Sequence, residues 1–202
     1  MEPMPLDAAA ILAVLDEYQV RYVIIGGVAG FLQGDTAATF DLDVVPAATE
    51  DNFARLADAL NAMHAGLRAP GLDEPVSYRF DAATFASYTT PATRTEHGDL
   101  DIVLRPDGIP GSYDELATRA QPMHAGPVTV YVADVVDIIR SKRAAARMTG
   151  EPKYTSDADR LERLLTNTPT PERRDARDLG AREDERFRPD PPGRDGGRGI
   201  DR

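Results

Sequence analysis

Tyr22-Val23-Ile24-Ile25-Gly26-Gly27 and, after a short helical stretch, Phe40-Asp41-Leu42-Asp43-Val44-Val45 decide how this chain is read. The first is a short, continuously apolar run of the kind that forms a buried strand, ended by a glycine pair. Glycines at a strand end let backbone N–H groups approach a ligand, and a helix beginning there favours anions. The second run alternates, and side chains two apart share one face of a strand. Aspartate is disfavoured in strands, so Asp41 and Asp43 side by side need a reason. Repulsion between them is tolerable if a divalent cation lies between. The apolar neighbours Phe40, Leu42, Val44 and Val45 indicate a well-buried strand rather than an edge with one face in water.

A second acidic strand, Gly98-Asp99-Leu100-Asp101-Ile102-Val103-Leu104, repeats the pattern. A carboxylate from it, added to the Asp41/Asp43 wall, makes a three-acid magnesium site. Asp101 is the favoured third ligand because Asp99 lies beside a turn, where Asp is common for conformational reasons. A glycine turn for phosphates and paired carboxylates for magnesium are the minimal parts of a nucleotidyl-transfer site.

The rest of the chain supplies the frame. Amphipathic helices are expected over 6–17, from Thr49 or Glu50 to His64, over Asp134–Arg147 and over Thr155–Leu165, with a short one over Tyr113–Arg119. Strands are expected over Val76–Phe80, Tyr88–Thr95 and Val128–Val132, and Glu96-His97-Gly98 reads as a hairpin turn. On the 134–147 helix, Lys142 falls near the middle of the inward stripe, while Arg140, Arg143 and Arg147 cluster on the other side. A lysine there is expected to reach a carboxylate or a phosphate, since lysine is rarely buried unpaired. Asp157 is the inward acid of the last helix, and Asp159 points away. His64, His97 and His124 have no ligand spacing and read as surface or loop residues.

Residues 1–167 read as one domain. Residues 168–202 carry nine basic and nine acidic residues, many Pro and Gly and almost no large apolar side chains, so this segment reads as a disordered tail. The net charge of −11 therefore belongs to the body, which argues against broad, non-specific nucleic-acid binding. One stretch runs the other way: Arg140 to Arg160 holds six basic residues against three acids. There is no cysteine, which excludes disulfides, thiolate catalysis and thiolate zinc sites. No apolar run approaches the ~18 residues of a membrane span, so a cytoplasmic location with no membrane partner is expected.

Taken together, Tyr22 to Ala29, Gly34, Thr39, Asp41-Leu42-Asp43 and Leu100-Asp101-Ile102-Val103 resemble the AbiEii-like branch of the DNA polymerase β-like nucleotidyltransferases. Asp137-Ile138-Ile139-Arg140-Ser141-Lys142, with Ala145 and Arg147, is similar to the same branch, and the likeness is greatest to short MenT-type toxins of toxin–antitoxin pairs. The resemblance spans roughly residues 20–165. It implies an α/β fold with a mixed sheet flanked by helices and a C-terminal helical portion. It further implies transfer of NMP from an NTP, a pyrimidine such as CTP favoured, to the 3′ acceptor end of tRNA, blocking translation. On the family pattern Gly26 and Gly27 hold the triphosphate, joined by Thr39 and Lys142. Asp41 and Asp43 hold Mg2+, Asp101 is the third carboxylate, and Lys142 and Asp157 are the functional lysine and acid of the C-terminal helices. Arg140, Arg143 and Arg147 are candidates for the RNA backbone. The family often has an arginine where this chain has Ala37.

Thr39 shares the Asp41 face if the segment is extended, so phosphate there adds about −1.5 to −2 charge beside the acids. An antitoxin with kinase activity could silence the enzyme in that way. Two rival readings remain at this stage: transfer of AMP to a protein or small molecule, and a non-catalytic nucleotide-binding module.

Overall fold

The computed structural model describes residues 5–88, 90–125 and 128–167; the tail expected beyond 167 lies outside the described residues. Its centre is an eight-stranded mixed sheet in the order β4-β3-β5-β6-β2-β1-β8-β7. The strands are β1 Tyr22–Ile25, β2 Asp41–Pro46, β3 Gly66–Leu67, β4 Val76–Ser77, β5 Ala92–Thr95, β6 Gly98–Ile102, β7 Gln121–Ala125 and β8 Val128–Val132. β2 runs parallel to β6 and β1 parallel to β8, and every other pairing is antiparallel. The helices are α1 Ala8–Glu17, α2 Gly26–Leu32, α3 Glu50–Ala62, α4 Thr84–Ser87, α5 Ser112–Ala117, α6 Val135–Thr149 and α7 Pro152–Asn167. The fold class is mixed α/β, as expected from the sequence.

The alternation in β2 and β6 does the sorting. Leu42, Val44, Leu100 and Ile102 are fully buried and pack with Ile11, Leu12 and Leu15 of α1 and Leu56 and Leu60 of α3 into one core. That leaves Asp41, Asp43, Asp99 and Asp101 on the opposite face. Asn52, almost fully buried, fastens α3 to the sheet through the backbone N–H and C=O of Arg21 and the C=O of Ala47.

The α6–α7 pair closes the acidic face. Asp134 caps α6 by accepting from the Val136 N–H, and Gly150, at φ +72°, ends it in the left-handed conformation glycine tolerates. Pro152 then opens α7, where its missing N–H costs nothing.

Several expectations are corrected. Phe40 is 71% exposed and precedes β2 instead of belonging to a buried strand. α2 starts at Gly26 itself and not after the glycine pair, which is thus the first turn of the helix. The expected strand at 76–80 shrinks to Val76–Ser77; that at 88–95, in which residue 89 lies outside the described residues, is found as Ala92–Thr95. His124 lies in β7, a strand the sequence did not announce: Gln121-Pro122-Met123-His124-Ala125 has poor strand propensity. It is held by pairing with β8 at the sheet edge, where proline is tolerated.

Candidate active site

The register between β1 and β2 places Ile25 opposite Asp43, so the chain leaving β1 turns directly over that carboxylate. Gly26 makes the turn at φ +75°, and a Cβ there would stand 1.9 Å from Asp43 Oδ2. A Cβ on Gly27 would stand 2.3 Å from Thr39 Oγ1. The two glycines are thus fitted to two specific side chains. The Gly27 N–H donates to the Asp43 carboxylate, and the Thr39 hydroxyl lies 3.2 Å from both the backbone oxygen and Oδ1 of Asp41.

On the other side, the parallel pairing of β2 with β6 sets Asp41 opposite Asp99 and Asp43 opposite Asp101. Burial, then the charges of Asp41 and Asp101, push the Asp43 carboxyl up to about 7, against the pull of Lys142 and the Gly27 amide. Burial also raises Asp101, opposed by Arg68 and reinforced by Asp41 and Asp99. The wall is short of positive charge, and it offers the hard oxygen donors that Mg2+ prefers. Mg2+ is commonly held by one or two carboxylates together with substrate phosphates, so Asp41 and Asp43 fit it. Among the described residues no three acids or histidines converge into a ready metal-binding group, and an Asp101 oxygen is taken by Arg68.

Facing the acids across a cleft of about 590 Å³ are α6 and α7. Lys142 Nζ, half-buried, lies 3.0 Å from Asp157 Oδ2 and 5.6 Å from the centre of the Tyr154 ring. Asp157 also accepts from Arg160 at 2.8 Å, and Arg160 grips Asp35 at 2.5 and 2.9 Å. Burial would raise Asp157, but hydrogen bonds from Arg160 and Lys142 hold it below its ordinary value. The structure therefore brings Gly26, Gly27, Thr39, Asp41, Asp43, Asp101, Lys142 and Asp157 to one cleft.

Arg140 and Arg143 are differently placed. Arg140 pairs with Glu115 at 2.5 Å, and Arg143 pairs with Asp159 at 2.5 Å and Glu162 at 2.8 Å. Their charge is answered within the fold, whereas Arg147 is exposed. Ala37 lines the cleft, and the cations lining it are Arg68, Arg105, Lys142, Lys153 and Arg160.

Three of these residues escaped the sequence reading. Arg160 lies one helical turn from Asp157, a spacing that signals an i,i+3 pair. Asp35 finds its partner 125 positions away, and Arg68 sits beyond a two-residue strand; neither carries a local signal.

Asp35 offers a test of the cleft wall. Burial would raise its pKa, but the Arg160 bond and charge and the amides of Ala37 and Thr36 outweigh this and hold it below 3.8. A carboxyl depressed by folding stabilises above its ordinary pKa, and that contribution is lost as pH falls through the lower folded value. Asp35→Asn is therefore expected to cost about 2 kcal/mol in urea unfolding at pH 7. The gap from wild type should narrow only as the pH falls below the ordinary 3.8, through the depressed folded value.

No protein-family model and no curated protein matches the sequence. Among solved structures, an antigenic nucleotidyltransferase-like protein from Paracoccidioides brasiliensis superposes with a TM-score of 0.49. It shares 19% identity over 80% of this chain and 78% of that one. A candidate nucleotidyltransferase from Thermotoga maritima superposes with a TM-score of 0.41, at 12% identity over 83% of this chain and 98% of that one. Likenesses this distant carry no argument about activity, which has to come from the residues.

Proposed function

We propose that this protein is a magnesium-dependent nucleotidyltransferase of the DNA polymerase β-like class. In this reading it adds NMP from an NTP, with a pyrimidine favoured, to the 3′ acceptor end of tRNA, and so acts as the toxin of a toxin–antitoxin pair. The observation that carries nucleotidyl transfer is the fit of the Gly26-Gly27 turn onto Asp43 and Thr39, with Asp41 alongside and Lys142 across the cleft. The tRNA acceptor and the toxin role rest on the resemblance over residues 20–165.

In the reaction a 3′ hydroxyl gives its proton up to solvent as its oxygen forms a bond to the α-phosphorus, the bond from that phosphorus to the α–β bridging oxygen breaks, and pyrophosphate leaves with that electron pair. Asp41 and Asp43 would hold Mg2+, with Asp101, bonded to Arg68 here, as the third carboxylate. When bound, the metal lowers the pKa of the attacking hydroxyl and neutralises the leaving group. The Gly26-Gly27 turn, where no side chain stands in the way, would bring backbone close to the triphosphate. Lys142, freed from Asp157 or shared with it, supplies a point charge to the phosphates. Asp157 and Arg160 keep that lysine aimed into the cleft. Arg147 remains the candidate for the RNA backbone.

A second reading is favoured by one observation: Arg140 and Arg143 are consumed by ion pairs, leaving a cleft whose surroundings are not strongly basic. AMP transfer to a protein or a small cationic acceptor suits that better. Incubating the protein with magnesium, each labelled NTP, and either tRNA or a cell extract separates the two. Label on tRNA, lost with Asp41→Ala, supports the first reading, and label on protein or small molecules supports the second. No label on any acceptor would contradict both.

The Thr39 hydroxyl lies beside Asp41, which supports the reading of Thr39 as a position that a kinase antitoxin would phosphorylate. Thr39→Glu is expected to lower transfer by about a hundredfold or more, through repulsion from both the acids and the triphosphate. A Thr39→Glu enzyme with wild-type turnover would remove that idea.

A further inference from the structure

Arg68, just beyond β3, has no role in the chemistry above, yet it reaches into the acidic wall. One guanidinium nitrogen donates to Asp99 Oδ2 at 2.8 Å, and another is bonded to Asp101 Oδ1. Asp99 does not need it, because Arg94 already donates to both Asp99 oxygens, at 2.7 and 3.2 Å. Arg68 Nε is buried and has no hydrogen-bond partner.

We propose that Arg68 is a resident counter-cation for this wall: it holds Asp101 while no divalent ion is present and yields that carboxylate when one enters. The proposal rests on the nucleotidyltransferase reading above and deepens it, assigning a positioning residue that sets when the third acid joins Asp41 and Asp43. Four carboxylates from paired strands lie in register on one face, and such a wall needs positive charge whether or not metal is bound. Exchange of guanidinium for metal at Asp101 keeps that balance. The bond to Asp99 is an anchor, keeping Arg68 at the wall while its other arm lets go. The unpartnered Nε means that no third bond resists the turn. Asp99 is accordingly part of the anchor, which leaves Asp101 as the acid that joins the metal.

The test is Mn2+ titration of the full chain without nucleotide, with free Mn2+ read by electron paramagnetic resonance, so that transfer activity is not needed. Arg68→Met is expected to bind Mn2+ about tenfold tighter than wild type, the scale of a coupling between two ligands competing for one site. In an Asp101→Asn background the same substitution should change nothing, because there is no carboxylate left to contest. Arg68→Lys, which keeps a charge but cannot fork across two acids, should tighten binding by a smaller factor and serves if the Met variant does not fold. Binding that is unchanged or weaker in the variant that folds overturns the proposal alone. A wild-type protein that binds no Mn2+ overturns it together with the metal reading.

Discussion

Asp43→Asn is expected to abolish nucleotidyl transfer, by about 10³-fold or more, while raising the melting temperature of the metal-free protein. The activity loss follows from removing one of two carboxylates that carry the metal, whose charge stabilisation is worth several kcal/mol in the transition state. The stability gain follows from the state of that carboxyl. Burial and its acidic neighbours raise it to about 7 from an ordinary 3.8. A carboxyl raised by folding penalises the folded state once it must ionise. The penalty grows from about pH 4, is complete above about pH 7, and is of the order of a few kcal/mol. Asparagine keeps the shape and cannot ionise. The gain should therefore be plain at pH 8 and vanish near pH 4. A variant that loses activity and is destabilised at pH 8 would mean that Asp43 is a structural residue.

Gly26→Ala carries the second large effect. The new methyl would overlap Asp43 Oδ2 at 1.9 Å, and the backbone at φ +75° is one that alanine adopts only with strain, about 1–2 kcal/mol. Either the carboxylate or the turn must move, and both are parts of the proposed site. Transfer should fall by about a hundredfold or more, since a displacement of about 1 Å in a positioning element is enough for that. Gly34→Ala is the control. It meets the same kind of backbone, φ +99°, but a Cβ there has nothing within 4 Å. It should cost stability and leave turnover intact, so that equal losses at Gly26 and Gly34 would point to strain and not to the carboxylate.

How much of this was legible in the sequence follows from how local each feature is. Period-two alternation around Leu42, Val44, Leu100 and Ile102 fixes which face is core, and the same alternation puts all four aspartates on the other. The long amphipathic helices carry their own pattern, so α1, α3, α6 and α7 could be read from residues alone. β4 reads too long in the sequence and β3 and β7 do not read at all, because two-residue strands and the Gln121–Ala125 run are set by the partners they pair with. Phe40 misled because an apolar residue beside a buried strand looks like part of it, whereas the chain bends before β2 begins. The Asp35–Arg160 clasp and the Arg68 fork join residues far apart in sequence, and nothing near either residue announces its partner.

The most direct measurement is a crystal structure with a non-hydrolysable NTP analogue and Mn2+, located by its anomalous scattering. An anomalous peak ligated by both Asp41 and Asp43 is expected, with the triphosphate against the Gly26-Gly27 turn and within reach of Lys142. A Mn2+ bound elsewhere, or an analogue seated away from that turn with the two aspartates unliganded, would contradict the proposed function.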